Sequence, residues 1–220
     1  IKIYTGYDNK TAGKIPTEIS NLKKLKEILL NNNDISGNIP SQIGVLNNLR
    51  FLGLSGNNFE GIIPDSIVKL NELEYLSLGW NNLSGKIPDS IGNLTKLISF
   101  SLDGNNIVGK IPESLMNIKT LEDLGLSDNS LSGGIPSGIG NLENLKSVTL
   151  QRNYLSGSIP AGIVNLNKLE NLNLQGNVFS GNIPSEIGNL ESIKYINLAE
   201  NDITGSIPES IVKLSKLEEL

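Results

Sequence analysis

Three aspartates, Asp103, Asp123 and Asp128, lead up to Arg152 and Tyr154 near the middle of this 220-residue chain. Asp128 and Arg152 stand 24 residues apart. Brought together, they would form an ion pair worth less than about 1 kcal/mol if partly exposed, or a polar site for a ligand's amine or carboxylate. Converging aspartates could also hold a divalent cation, and paired carboxylates could hydrolyse a glycosidic bond, but nothing in the spacing demands either. Beyond these groups the sequence is poor in reactive side chains. It has no histidine and no cysteine, which excludes disulfides, Cys/His zinc sites, thiol nucleophiles and Ser-His-Asp arrangements. The expectation is a protein without cofactor, metal site or catalytic residues.

A second group is aromatic. Phe51 and Tyr75 are 24 residues apart, with Leu29 and Trp80 near them in the same scheme. Exposed aromatic clusters give large contact area at low entropic cost and anchor many recognition surfaces. The alternative is that Phe51 and Tyr75 only pair across neighbouring strands and stabilise a sheet.

What positions these residues is a repeat. The nine prolines, from Pro16 to Pro208, recur every 24 residues, and each follows an isoleucine. Asn9 to Asn201 and Gly13 to Gly205 keep the same period with no insertion. One unit reads L-x-x-L-x-L-x-x-N-x-L-x-G-x-I-P-x-x-I-x-x-L-x-x, as in Leu73, Leu76, Leu78, Asn81, Leu83, Gly85, Ile87, Pro88, Ile91 and Leu94. The leucines of L-x-L point the same way along an extended segment, so each unit supplies a short strand with one buried face. Units that bury their leucines only against their neighbours stack into a solenoid with a parallel sheet. The asparagine amide would satisfy turn backbone that water cannot reach, giving a stacked asparagine ladder. Glycine four residues later suits a bend, and proline followed by Asp, Glu or Ser marks a short helical turn.

Function must then lie in strand residues that point away from the core. Stacked strands are about 4.8 Å apart, so equivalent positions form columns. One column reads Ile3, Glu27, Phe51, Tyr75, Ser99, Asp123, Ser147, Asn171 and Tyr195, and the next Thr5, Leu29, Gly53, Ser77, Ser101, Gly125, Thr149, Asn173 and Asn197. Two more contain Tyr7 and Asp103, and Asp8, Trp80, Asp128 and Arg152. Phe59, Phe100 and Phe179 replace scaffold leucines and belong to the core by phase.

The repeat resembles the plant-type leucine-rich repeat, whose consensus Leu83, Ser84, Gly85, Lys86, Ile87, Pro88, Asp89, Ser90, Ile91, Gly92, Asn93 and Leu94 follow almost letter for letter. The resemblance covers essentially all of the chain. It implies a right-handed solenoid with a parallel concave sheet, a second short strand around L-x-G-x-I-P, and short 3-10 or helical turns on the convex side. Such repeats form the ectodomains of plant receptor kinases, receptor-like proteins and polygalacturonase-inhibiting proteins, which recognise peptides, hormones, co-receptors or foreign proteins. By that resemblance the chain is extracellular or at the cell surface.

Residues 1–220 read as one solenoid of about nine units without the cysteine-paired caps usual in the family, hence as a segment of something longer or an array whose ends stack on partners. Sequons at Asn82 and Asn93 are candidate glycosylation sites; a third, at Asn9, occupies a ladder position expected to be buried. With 18 basic against 23 acidic residues the net charge is -5, which leaves no cation excess for nucleic acid. No apolar run approaches the roughly 18 residues of a membrane span, so no direct membrane contact is expected of this segment. The favoured function is non-catalytic binding of a peptide or protein ligand on the concave face, through Leu29, Phe51, Tyr75, Trp80, Asp103, Asp128, Arg152 and Tyr154. End-to-end self-association as a scaffold, or inhibition of a cell-wall hydrolase, are the alternatives. Ice binding is disfavoured because only Thr5 and Thr149 stand in the central column.

Overall fold

The computed structural model describes residues 1–5 and 10–220. Each unit contributes two short strands and one 3-10 turn, for example Tyr75–Ser77, Asn82–Gly85 and Ile91–Asn93. The first strands pair in sequence order into a nine-stranded parallel sheet, and the second strands form another nine-stranded parallel sheet on the flank. From Glu27 onward the register is constant, so Phe51 lies opposite Tyr75, Tyr75 opposite Ser99, and Asp123 between Ser99 and Ser147, but the first strand is shifted by one residue and sets Lys2, not Ile3, beside Glu27, with Ile3 turned onto the core. From the second unit on, the strand columns read from sequence are therefore physical neighbours, while Tyr7 and Asp8 lie outside the described residues. The second strand starts at the residue after the asparagine, slightly earlier than the L-x-G-x-I-P segment would place it.

The core is one continuous stack of the repeat's leucines and isoleucines, and Phe59, Phe100 and Phe179 are fully buried in it as their phase requires. The expected asparagine ladder runs through the same interior. At Asn105, Nδ2 donates to the carbonyls of Leu102 and Asp103 in its own unit and of Leu78 in the preceding one, and Oδ1 accepts the Leu83 N–H. The arrangement recurs at Asn57, Asn81, Asn129, Asn153 and Asn177. Each side chain thus shares its two amide hydrogens among three carbonyls and accepts one N–H to tie two units together, where unpaired backbone would cost about 1–3 kcal/mol per group. Asn9 lies outside the described residues.

On the convex side the turns approach one another in pairs. Gly44, Gly92, Gly140 and Gly188 sit where a Cβ would collide with the carbonyl oxygen of Ser66, Ser114, Gly162 and Ser210 in the following turn. In three of these pairs a serine hydroxyl also crosses the gap, from Ser66 to the Ser41 carbonyl, from Ser114 to that of Asp89 and from Ser210 to that of Ser185, each at 2.6 Å. The equivalent residue of the alternate turns is Val68, Met116, Val164 or Val212. The convex side thus repeats every two units while the concave side repeats every one.

Candidate functional site

The concave strands expose their alternate residues, and the chemistry changes along the sheet. At the N-terminal side Phe51 and Tyr75 stack face to face, with centroids 4.7 Å apart and 6° between the ring planes. The Cζ of Arg50 lies 5.6 Å from the Phe51 centroid. Its guanidinium forks onto Glu74, with Nε 2.8 Å from Oε1 and an Nη 2.7 Å from Oε2, and that bonding holds its pKa above the ordinary arginine value. Leu29 is half-buried beside Gly53 in the adjacent column. Tyr75 is 38% exposed, so the stack has an open side.

Trp80 departs from the expected cluster. Its indole makes no ring pair with Phe51 or Tyr75 among the described residues and instead covers Gly104 in the next unit, where a Cβ would clash with it. Its backbone is left-handed, with φ 54°. Asp128 and Arg152 share that conformation at the same repeat position, while neighbouring units place Gly56, Gly104 and Gly176 there. Bulky residues are uncommon at such φ and cost of order 1 kcal/mol or more. A side chain 63% exposed at a strained position has no evident role in stabilising the fold.

Of the three aspartates, only Asp128 meets Arg152, at 3.2 Å in a mostly exposed pair. Asp103 is drawn elsewhere. One carboxylate oxygen accepts from the Ser127 N–H and hydroxyl and the other from the Ser101 hydroxyl. Asn31, at the equivalent position nearer the N-terminus, acts likewise by accepting the Ser55 N–H at 2.9 Å. Both side chains lie over a glycine, Gly125 and Gly53 respectively. Asp103 is therefore a bridge between units, and the sequence signal for it is that glycine 22 residues on. Asp123 has no ion-pair partner among the described residues. Partial withdrawal from water first, and then the charge of Glu122, pushes its carboxylate above the usual range, although Lys146 opposes this. Among the described residues no three such groups converge on a metal position.

Tyr154 is on the flank rather than the concave sheet: it opens the strand Tyr154–Gly157, opposite Ser132, and is 64% exposed. Asn82 is exposed on the same flank sheet, and Asn93 is exposed at the end of a convex turn.

The C-terminal third holds residues that sequence reading placed in columns without singling them out. Asn197 donates to Gln175 Oε1 at 3.3 Å and to the Tyr195 hydroxyl at 2.9 Å, Gln175 donates to Glu200 at 2.8 Å, and Asn171 donates to the Ser147 hydroxyl at 3.2 Å. The Oε1 of Gln151 and the Oδ1 of Asn171 are buried without a donor. Amides recurring at strand positions were the available signal.

This combination, a stacked parallel solenoid whose variable residues gather on one sheet face, defines a solenoid repeat protein. Leucine rich repeat family models match residues 23–83, 47–107, 119–179 and 192–214, and the chain belongs to that family. No curated protein sequence matches it. Among solved structures it is similar to a plant peptide hormone receptor, RGFR1, in complex with RGF2, at 38% identity and a TM-score of 0.96 over 98% of this chain and 35% of that one. It is also similar to the leucine-rich-repeat ectodomain of the membrane receptor kinase GASSHO1/SCHENGEN3 from Arabidopsis thaliana in complex with CASPARIAN STRIP INTEGRITY FACTOR 2, at 34% identity and a TM-score of 0.94 over 96% and 25%. A plant ice-binding protein shares the fold at 28% identity, a TM-score of 0.82, and coverage of 94% and 67%. The chain thus spans about a third or less of the two receptor ectodomains. No helix among the described residues is long and apolar enough to cross a membrane.

Proposed function

We propose that the chain is a non-catalytic, extracellular recognition module that holds an extended peptide, or a peptide segment of a protein, along its concave face. The observation that carries this is the division of labour within each unit: buried positions repeat while exposed concave positions do not. An extended peptide fits such a face because columns about 4.8 Å apart offer a distinct contact at every unit. The peptide hormone receptor among the similar structures supports the same reading. The ice-binding relative does not supply an alternative, since the central column here changes from Thr5 through Leu29 and Gly53 to Asn173 and Asn197 and presents no uniform hydroxyl array.

Selection from a random peptide library on the immobilised chain tests it. Enriched peptides are expected to lose binding to a chain carrying Phe51→Ala and Tyr75→Ala together, and to keep it with Val108→Ser on the flank sheet. Binding that survives the concave pair and falls with the flank substitution would place recognition on the wrong face.

A further inference from the structure

The stack made by Phe51 and Tyr75 ends one unit short of a carboxylate. The rings are nearly parallel and separated by 4.7 Å, about one strand spacing, so they stack along the solenoid axis. The next residue in the column is Ser99 and the one after it is Asp123. Serine is too small to cover the outer face of Tyr75. The neighbouring column is low beside it, with Ser77 and Ser101 in register, and the Asp103 carboxylate lies over Gly125 at its far end. What remains over Ser99 is a slot, bounded by the Tyr75 ring on one side and the Asp123 carboxylate on the other, with about 10 Å between the two flanking strands.

The cation beside the slot is already engaged. Lys146, the cation nearest in the column scheme, is engaged by Glu122 at 2.6 Å, and Asp103 is satisfied by Ser101 and Ser127. Two units beyond Asp123 in the same column the Asn171 Oδ1 is buried without a partner. From Tyr75 to Asp123 the column therefore presents one free ring face and one carboxylate, the Asn171 oxygen beyond them being buried.

We infer that this slot receives an arginine side chain of the ligand, its guanidinium stacked on Tyr75 as the third layer over Ser99 and its N–H groups on the Asp123 carboxylate. A planar guanidinium stacks on an aromatic face and still directs several donors outward, which an ammonium on a flexible stem does less well. Arg50 already combines these contacts at the other end of the stack, lying over Phe51 while forking onto Glu74. A bound cation would also favour the ionised Asp123 carboxylate, against the desolvation that raises its pKa. The inference rests on the concave face being the peptide-binding face, and it adds the side chain that face selects.

The peptide pool selected on the chain reads it directly. Arginine should be enriched at one position of the aligned binders, and an arginine peptide should lose about tenfold or more in affinity on Asp123→Asn, as expected for a hydrogen bond to a charged group. Ser99→Arg fills the slot from within and should erase the arginine preference while binding through the rest of the face continues. Glu60→Gln, on the flank sheet, removes the same charge elsewhere and should leave the preference intact. A pool without arginine enrichment, or an enrichment that survives Asp123→Asn and Ser99→Arg, overturns the slot. If such a pool still loses binding on Phe51→Ala with Tyr75→Ala, the slot fails while the concave reading stands. A pool in which nothing is enriched fails both.

Discussion

The aromatic end of the concave sheet and its amide end have the same strands, the same buried leucines and the same asparagine ladder. They differ only in the residues that face outward. Around Phe51 and Tyr75 the exposed side chains pack on one another, so they add to the stability of the sheet as well as offering a surface. Around Gln151, Asn171, Gln175 and Asn197 they form a partly satisfied polar network, which is held in place by the fold and contributes little to it. One scaffold can therefore carry surfaces of opposite energetic character, because each unit is stabilised chiefly through its neighbours' interiors and only secondarily through the concave face.

That comparison can be broken at its shared element first. Asn105→Leu, between the two ends, removes four hydrogen bonds and leaves the buried Leu83 N–H unpaired, while the carbonyls of Leu78, Leu102 and Asp103 each keep one other donor. A loss of about 3 kcal/mol or more is expected in denaturant unfolding. Hydrogen exchange should show the units on either side of it opening separately, since coupling passes only between adjacent units. Undiminished stability would mean the ladder is not what joins the two ends. Next, the two ends should respond with opposite sign. Phe51→Ala is expected to lower stability by about 1 kcal/mol through loss of the stack, whereas Gln151→Leu should leave it unchanged or raise it by about 1 kcal/mol, because a buried acceptor without a donor disappears. Equal losses at both positions would erase the distinction.

The smallest effect lies between the two ends. Asp123 has a pKa raised in the fold, so ionising it costs the folded state; the parent chain is at its best below the ordinary aspartate range and loses that advantage as pH rises through the raised value. Asp123→Asn should accordingly increase the melting temperature slightly at neutral pH and leave it unchanged in acid. A variant that is less stable at neutral pH would show that the carboxylate has a stabilising partner.

Much of this was legible in the residues. Proline, asparagine and glycine at a fixed interval dictate the coil, and the L-x-L phase separates buried Phe100 from exposed Tyr75, because a strand alternates its side chains strictly. The stack of Phe51 on Tyr75 and the pair of Asp128 with Arg152 follow from shared columns. Trp80, Asp103 and Tyr154 were not placed correctly by the same rule. Trp80 occupies a left-handed position that turns its ring toward Gly104, Asp103 is captured by nearer donors, and Tyr154 already belongs to the flank strand. Column position alone does not report where a side chain turns once the strand has ended.

The 24-residue period by itself determined the solenoid, its core and the strand columns from Glu27 onward, since a repeat that cannot bury its own leucines has no option but to stack. Only the tertiary structure decided which exposed groups satisfy one another and which remain open. The convex turns pair through Gly44, Gly92, Gly140 and Gly188, Asp103 is consumed by Ser127, and Asp123 is left facing Tyr75 across Ser99. These outcomes depend on distances of a few ångströms between side chains 22 to 48 residues apart, where a hydrogen bond or a collision is won or lost within the width of one atom.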